Sequence, residues 1–218
     1  MAVRALLFDF DGLIVDTETP SLASWQQVYR EHGHELTLDR WSAAVGTIGG
    51  FDPVGHLESL AGPIDRDAVL QRRLARDLAL CDVEQLRPGV LGYLEEAERR
   101  GLSVAIVSSA SRDWIDRHLA RLERAHHFAR IVTADGDVAR AKPLPVLYEE
   151  ALRELAVEPD EAVAFEDSPN GIRAAKAAGI YCVAVPNGVT ATLPLEQADL
   201  VVDSLDALPF DELLRQAA

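Results

Sequence analysis

Positive charge is in short supply in this chain. Its 218 residues carry 21 lysines and arginines against 36 aspartates and glutamates, a formal net charge of −15. Such a polyanion has no broad positive face for nucleic acid or an anionic membrane surface, so neither is an expected partner. An anionic small molecule would need a cation placed locally. Cysteine is scarce too: Cys81 and Cys182 lie far apart and outside any metal-ligand spacing. They read as buried thiols in a reducing compartment. No uncharged apolar run approaches a membrane span. Asp9 and Asp11 interrupt the apolar N-terminal stretch, unlike a secretory signal. A cytoplasmic location is the expectation. Internal repeats and low-complexity tracts are also missing.

What is present is ordinary globular composition, 48% hydrophobic and 26% charged, in a chain long enough for one large domain plus a smaller insertion. Ala5 to Phe8 reads as a buried strand. From Thr17 the texture is helical. Leu22, Trp25, Val28 and Tyr29 share a face, then Leu38, Trp41 and Val45, then segments near Val54 to Leu60 and Arg66 to Leu80. A glycine-rich loop, Gly46 to Gly50, interrupts them, and no strand is expected between Glu18 and Gln85. Beyond Leu86 strands alternate with helices: strands at Val104–Val107, Arg130–Thr133, Ala162–Phe165, Tyr181–Val185 and Leu200–Val202. Leu144, Leu147, Tyr148, Ala151, Leu152 and Leu155 make the clearest helical stripe, and a terminal helix is expected over Leu205 to Leu214. Alternation of this kind predicts an α/β fold, a Rossmann-like doubly wound parallel sheet with helices on both faces. The expected division is a core of residues 1–16 and 87–218 with an inserted all-α cap of residues 17–86. Its connections near Val15 to Glu18 and Gln85 to Gly89 could act together as a hinge.

In a doubly wound sheet the C-terminal strand ends share one crevice. The first strand delivers Asp9 and Asp11, the second Ser109, the segment before the long helix Lys142, and the fourth Glu166 and Asp167. Carboxylates, an amine and a hydroxyl in one crevice suit a hard cation and a phosphate; zinc would want His or Cys, and none is placed for it. Each residue also has a plainer reading. Asp11-Gly12 could be a tight turn, Lys142 a solvated residue before a helix that Pro143 starts, and Ser109 or Ser111 a helix cap. Glu166 and Asp167 could be dipole partners of the following helix. Trp25, Trp41 and Trp114 read as packing residues, and His126 and His127 as a surface turn.

Taken in order, Asp9-x-Asp11-Gly12, a strand-end serine, Lys142-Pro143 and Glu166-Asp167-Ser168 resemble the four motifs of the haloacid dehalogenase-like (HAD) phosphohydrolases. Asp16-Thr17-Glu18 and the run from Phe165 to Ile172 resemble its β-phosphoglucomutase and phosphosugar phosphatase subgroup, over the whole chain. The resemblance implies an aspartyl-phosphate on Asp9, proton transfer by Asp11, and Mg²⁺ held by Asp9, the Asp11 carbonyl, Glu166 and Asp167. Ser109, Ala110 and Lys142 would bind phosphate, with Ser108 the alternative hydroxyl. Thr17, Ser21, Gly46, Thr47, Ile48 and Gly49 would shape substrate choice from the cap side. Three departures matter: Val146 stands where the lysine motif has an acid, Ser21 where the mutase has a histidine, and the glycine turn lacks the mutase arginine. A mutase must grip a bisphosphate at both ends, so the expected activity is Mg²⁺-dependent hydrolysis of a small phosphomonoester by a monomer. A phosphosugar mutase and an inactive phosphate-binding regulator are the alternatives.

Overall fold

The computed structural model describes residues 2–217. Its sheet has six strands in the order β3-β2-β1-β4-β5-β6, namely β1 (Ala5–Phe8), β2 (Ser103–Ser108), β3 (Arg130–Thr133), β4 (Ala162–Glu166), β5 (Tyr181–Ala184) and β6 (Leu200–Val201). Every pairing is parallel. The chain runs outward from β1 on one side and from β4 on the other, so the order reverses between these two central strands. That is where open α/β sheets bind ligands.

Successive side chains on the strands point to opposite faces, and the two faces are packed differently. Leu6, Phe8, Ile106, Val163 and Phe165 meet Val90, Leu94, Ile115 and Leu213 from α5 (Val90–Arg100), α6 (Arg112–Leu122) and α9 (Phe210–Gln216). Phe8 stacks on Phe165 with ring centroids 4.5 Å apart, and Tyr93 meets Phe165 edge-on. The opposite face carries Ala5, Ala105, Ala164, Cys182 and Ala184 against Leu147, Ala151, Ala174 and Ala175 of α7 (Val146–Leu155) and α8 (Pro169–Ala177). Small side chains there let these helices lie close to the strands whose ends form the site.

Between β1 and β2 the chain makes α1 (Glu18–Glu31), α2 (Leu38–Trp41), α3 (Pro53–Ala61) and α4 (Arg66–Cys81). They enclose their own apolar cluster of Trp25, Val28, Tyr29, Trp41, Leu57 and Val69, which Val189 of the α/β body joins. The Tyr29 hydroxyl donates to the Pro53 carbonyl at 2.8 Å and so ties α1 to the start of α3. The two connections to the α/β body run side by side: Val15 bridges to Leu86 and the Arg87 amide donates to the Ile14 carbonyl.

Two helices differ from the periodic reading. Leu144 is 44% exposed and lies outside α7, which begins only at Val146. Pro143 and Pro145 break the turn before it, and the Lys142–Pro143 peptide is cis. At the C-terminus, Leu205–Ala207 is a single 3₁₀ turn, and Pro209 separates it from α9.

Ile106 is fully buried on the face that meets α5 and α6. Ile106→Ala should lower stability by about 2–5 kcal/mol, read as a lower urea midpoint at unchanged slope. A loss under about 1 kcal/mol would mean that this face is not close-packed.

Candidate active site

Parallel register puts the chemistry together. Phe8 pairs with Phe165, so Asp9 and Glu166, the next residue on each strand, leave the sheet beside one another. The Asp9 amide donates to the Phe165 carbonyl at 2.9 Å. Lys142 arrives from the segment between β3 and α7 and is only 1% exposed, which rules out a solvated lysine. Its ammonium lies between the two acids, donating to Asp9 Oδ1 and reaching Glu166 Oε1 at 2.7 Å. The Tyr148 hydroxyl donates to the same Glu166 oxygen.

Asp9, Glu166 and Asp167 each offer an oxygen within 4.8 Å of the others, all buried. Glu166 Oε2 and Asp167 Oδ1 are buried with no hydrogen-bond partner. Unpartnered buried carboxylate oxygens are costly, and an all-oxygen donor set of this kind suits a hard divalent cation. The residues therefore fit a metal. Burial drives the Asp9 carboxyl upward against the opposing pull of Lys142. It carries Glu166 to about 7, again against Lys142 and with repulsion from Asp9. Asp167 is pushed well up by burial and then by Asp9, Glu18 and Glu166. Although burial opposes its charge, Lys142 is held above its ordinary value by Asp9 and Glu166. Negative charge at this end of the sheet exceeds what one ammonium compensates.

Asp11 lies one step further along. Its Oδ1 accepts from the Thr17 hydroxyl at 2.7 Å and from the Trp114 indole at 2.8 Å. Burial, then repulsion from Asp9, raises this carboxyl to about 6, where it can exchange a proton near neutrality. Gly12 follows with φ +79°, and a Cβ there would collide with Asp167 Oδ2 and the Asn187 amide. Its carbonyl accepts from Arg87 and from Asn187 Nδ2, and Asn187 Nδ2 also donates to Asp167 Oδ2 at 2.7 Å.

A cavity of about 250 Å³ opens onto these groups, lined by Asp9, Asp11, Glu18, Ala44, Gly46, Thr47, Ile48, Ser108, Ser109 and Ala110. The Thr47 hydroxyl donates to the Lys142 carbonyl at 2.6 Å, and Asn170 Nδ2 donates to the Val45 carbonyl at 2.8 Å. These contacts seat the glycine loop directly over the strand ends. Both serines reach the cavity. Ser108 Oγ accepts from the Ala110 amide at 3.0 Å, and Ser109 Oγ accepts from the Lys142 amide at 3.2 Å. Ser21 and Gly49 do not line the cavity; the Ser21 hydroxyl accepts from Arg73, which Asp77 also holds at 3.2 Å.

Sequence reasoning missed several participants. Trp114 was expected only to pack, yet it donates to Asp11; the available signal was its place in the first turn of a helix that begins at the crevice. Glu18, the first residue of α1, is raised to about 8 by burial and then by Asp11 and Asp9. Asn187 and Tyr148 carry no motif that marks them.

The chain matches the family described as haloacid dehalogenase-like hydrolase over residues 3–179. It is similar to YhcW of Bacillus subtilis (strain 168), 42% identical over 213 residues, 97% of this chain and 96% of that protein. It is 32% identical over 208 residues to validoxylamine A 7'-phosphate phosphatase of Streptomyces hygroscopicus subsp. limoneus, covering 93% of this chain and 94% of that one. Among solved structures it resembles a CbbY mutant from Rhodobacter sphaeroides in complex with xylulose-(1,5)bisphosphate, with TM-score 0.76 and 28% identity over 94% of this chain and 96% of that one. The chain belongs to the haloacid dehalogenase-like hydrolase family and is a phosphohydrolase. Among the described residues no helix is long and apolar enough to cross a membrane.

Replacing Trp114 by Phe removes a hydrogen bond to a carboxylate, a loss of about 1.5–3 kcal/mol. The expected result is a kcat roughly tenfold to a hundredfold lower, with KM and the far-UV spectrum little changed. An unchanged kcat would show that the indole does not position Asp11.

Proposed function

We propose that this protein is a Mg²⁺-dependent phosphatase that hydrolyses a small phosphomonoester, of sugar phosphate or phosphoglycolate type, through an aspartyl-phosphate. The observation that carries the reading is Asp9 lining a small cavity while Lys142 grips its Oδ1. Asp9 attacks phosphorus, the bond to the leaving oxygen breaks with its electron pair, and Asp11 delivers a proton to that oxygen. Water then attacks the same phosphorus, Asp11 takes its proton, and the Asp9 carboxylate is released. Thr17 and Trp114 both occupy Oδ1 of Asp11, which leaves Oδ2 for proton transfer. Lys142 and the Ser109–Ala110 turn hold phosphoryl oxygens as charge spreads onto them, with the Ser108 hydroxyl at hand. Mg²⁺, held by Asp9, the Asp11 carbonyl, Asp167 and Glu166, would offset carboxylate repulsion and polarise the phosphoryl group.

Residues 1–16 and 87–218 would form the catalytic core and residues 17–86 a cap that closes over substrate and excludes water. The separate apolar cluster of the helices and the paired connections support that division. Thr47 and Ile48 would bound the substrate, and Glu18 would hydrogen-bond a substrate hydroxyl. The enzyme would act as a monomer.

Beyond Lys142 at Asp9, the lining that the helical segment gives the cavity, Glu18, Ala44, Gly46, Thr47 and Ile48, includes no lysine or arginine, and the cap's Arg73 is held by Asp77 and Ser21. A second phosphate has little to grip, which favours hydrolysis over the mutase reading. Purified protein with Mg²⁺ should release phosphate from members of a phosphomonoester panel and lose the activity on chelation. Silence across the whole panel would defeat the proposal. Asp9→Asn should abolish turnover with the unfolding midpoint retained; turnover at the normal rate would remove Asp9 from the chemistry. Sugar-bisphosphate-primed isomerisation outrunning phosphate release would instead identify a mutase.

A further inference from the structure

A second cavity, about 590 Å³, lies between the returning connection and the C-terminal end of α6. Its walls include Gln85, Arg87 and Leu91 on one side and Arg121, Leu122 and Arg124 on the other. In a chain of net charge −15, three arginines around one cavity are unexpected, and their bonding differs. Arg87 is a strut, donating to the carbonyls of Gly12, Val185 and Pro186. Among the described residues Arg121 and Arg124 form no ion pair, while nearby Arg117 closes onto Asp82 at 2.6 Å. One Arg121 nitrogen makes only long contacts, 3.5 Å to the Cys81 carbonyl and 3.4 Å to His118 Nδ1. Among the described residues Arg124 reaches only the Glu123 carbonyl, at 3.3 Å. The Nε atoms of both are buried without a partner. The one acid in the wall, Glu123, is exposed.

We propose that this cavity binds a small oxyanion, a phosphate group, between Arg121 and Arg124, and that its occupation reaches the catalytic aspartates. Turning these guanidiniums onto an oxyanion breaks no existing ion pair and gives their unpartnered nitrogens an acceptor. Gln85 adds an amide from the facing wall. Two routes lead from the cavity to the site. Arg121 touches His118, whose ring meets Trp114 edge-on at 4.4 Å, and Trp114 donates to Asp11. On the other wall Arg87 holds the carbonyl of Gly12, next to Asp11. A cap that swings would move the 85–89 connection relative to α6. The anion would then meet different walls in the open and closed forms, which is the differential affinity that coupling requires.

Calorimetric titration of the Mg²⁺-loaded full chain with inorganic phosphate tests this, and binding needs no turnover, so the outcome is independent of the substrate reading. Two binding events are expected for the native chain: one at the catalytic site and one at the arginines. In Arg121→Gln/Arg124→Gln the second should weaken at least tenfold, and in Arg124→Gln alone it should weaken while the initial rate without added phosphate stays within twofold. A sulfate titration separates phosphate from oxyanions in general, and binding of sulfate at the arginines with equal strength would overturn the assignment to phosphate. If the double variant does not fold, Arg124→Gln alone serves. As a second readout, phosphate should shift the Trp114 indole proton resonance in two phases, and the variant should lose one. Phosphate binding that survives the arginine substitutions unchanged, whether it comes in one event or two, overturns the proposal.

Discussion

The organising constraint is an excess of buried negative charge at the ends of two adjacent parallel strands. Asp9, Glu166 and Asp167 are brought within a few ångströms by backbone register, not by attraction between them. Lys142 compensates part of that charge from beneath, and its own ammonium stays protonated because both acids face it. The remaining orphaned oxygens, Glu166 Oε2 and Asp167 Oδ1, are what makes the arrangement incomplete as a purely structural device. A buried network left partly unsatisfied destabilises a fold unless something else completes it. The packing around it is correspondingly stiff: Phe8 stacked on Phe165 beneath, Tyr148 bonded to Glu166, Asn187 bonded to Asp167.

Asp11 differs from its neighbours because its partners come from elsewhere in the chain. Thr17 stands where the first connection enters the helices, and Trp114 on the first turn of α6. Both bond the same oxygen. This fixes the carboxyl's orientation without neutralising it, and burial leaves its proton affinity near neutrality. Thr47 and Asn170 tie the glycine loop to the strand ends. Closure of the cavity and, through Thr17, part of the orientation of Asp11 thus rest on hydrogen bonds between the helical segment and the α/β body.

Legibility followed the physics of each signal. Strands were readable because buried parallel strands are continuous apolar runs, and all six lie where such runs were found, within a residue or two. The stripe from Leu147 to Leu155 was readable, but its start was not. Apolar Leu144 fits the helical period, while the prolines on either side of it decide the backbone. Lys142 had a respectable reading as a solvated residue, and only its burial separates the two. The family pattern favours Ser109 with Ser108 one residue away as the alternative, and the structure brings both to the cavity with different backbone partners.

Taken alone, the amino-acid sequence determined the parallel α/β layout, the helical insertion after the first strand, and the order in which acids, lysine and hydroxyl leave the strand ends. These depend on local periodicity and on residue type, which are written along the chain. Tertiary structure alone decided that Trp114 bonds Asp11 and Glu18 lines the cavity, that Ser21 turns to Arg73 instead, and that among the described residues Arg121 and Arg124 form no ion pair beside the connection. Each of these is a question of which way a side chain points and what meets it from a distant segment. Packing between elements answers it, because no spacing along one element records what the facing element presents.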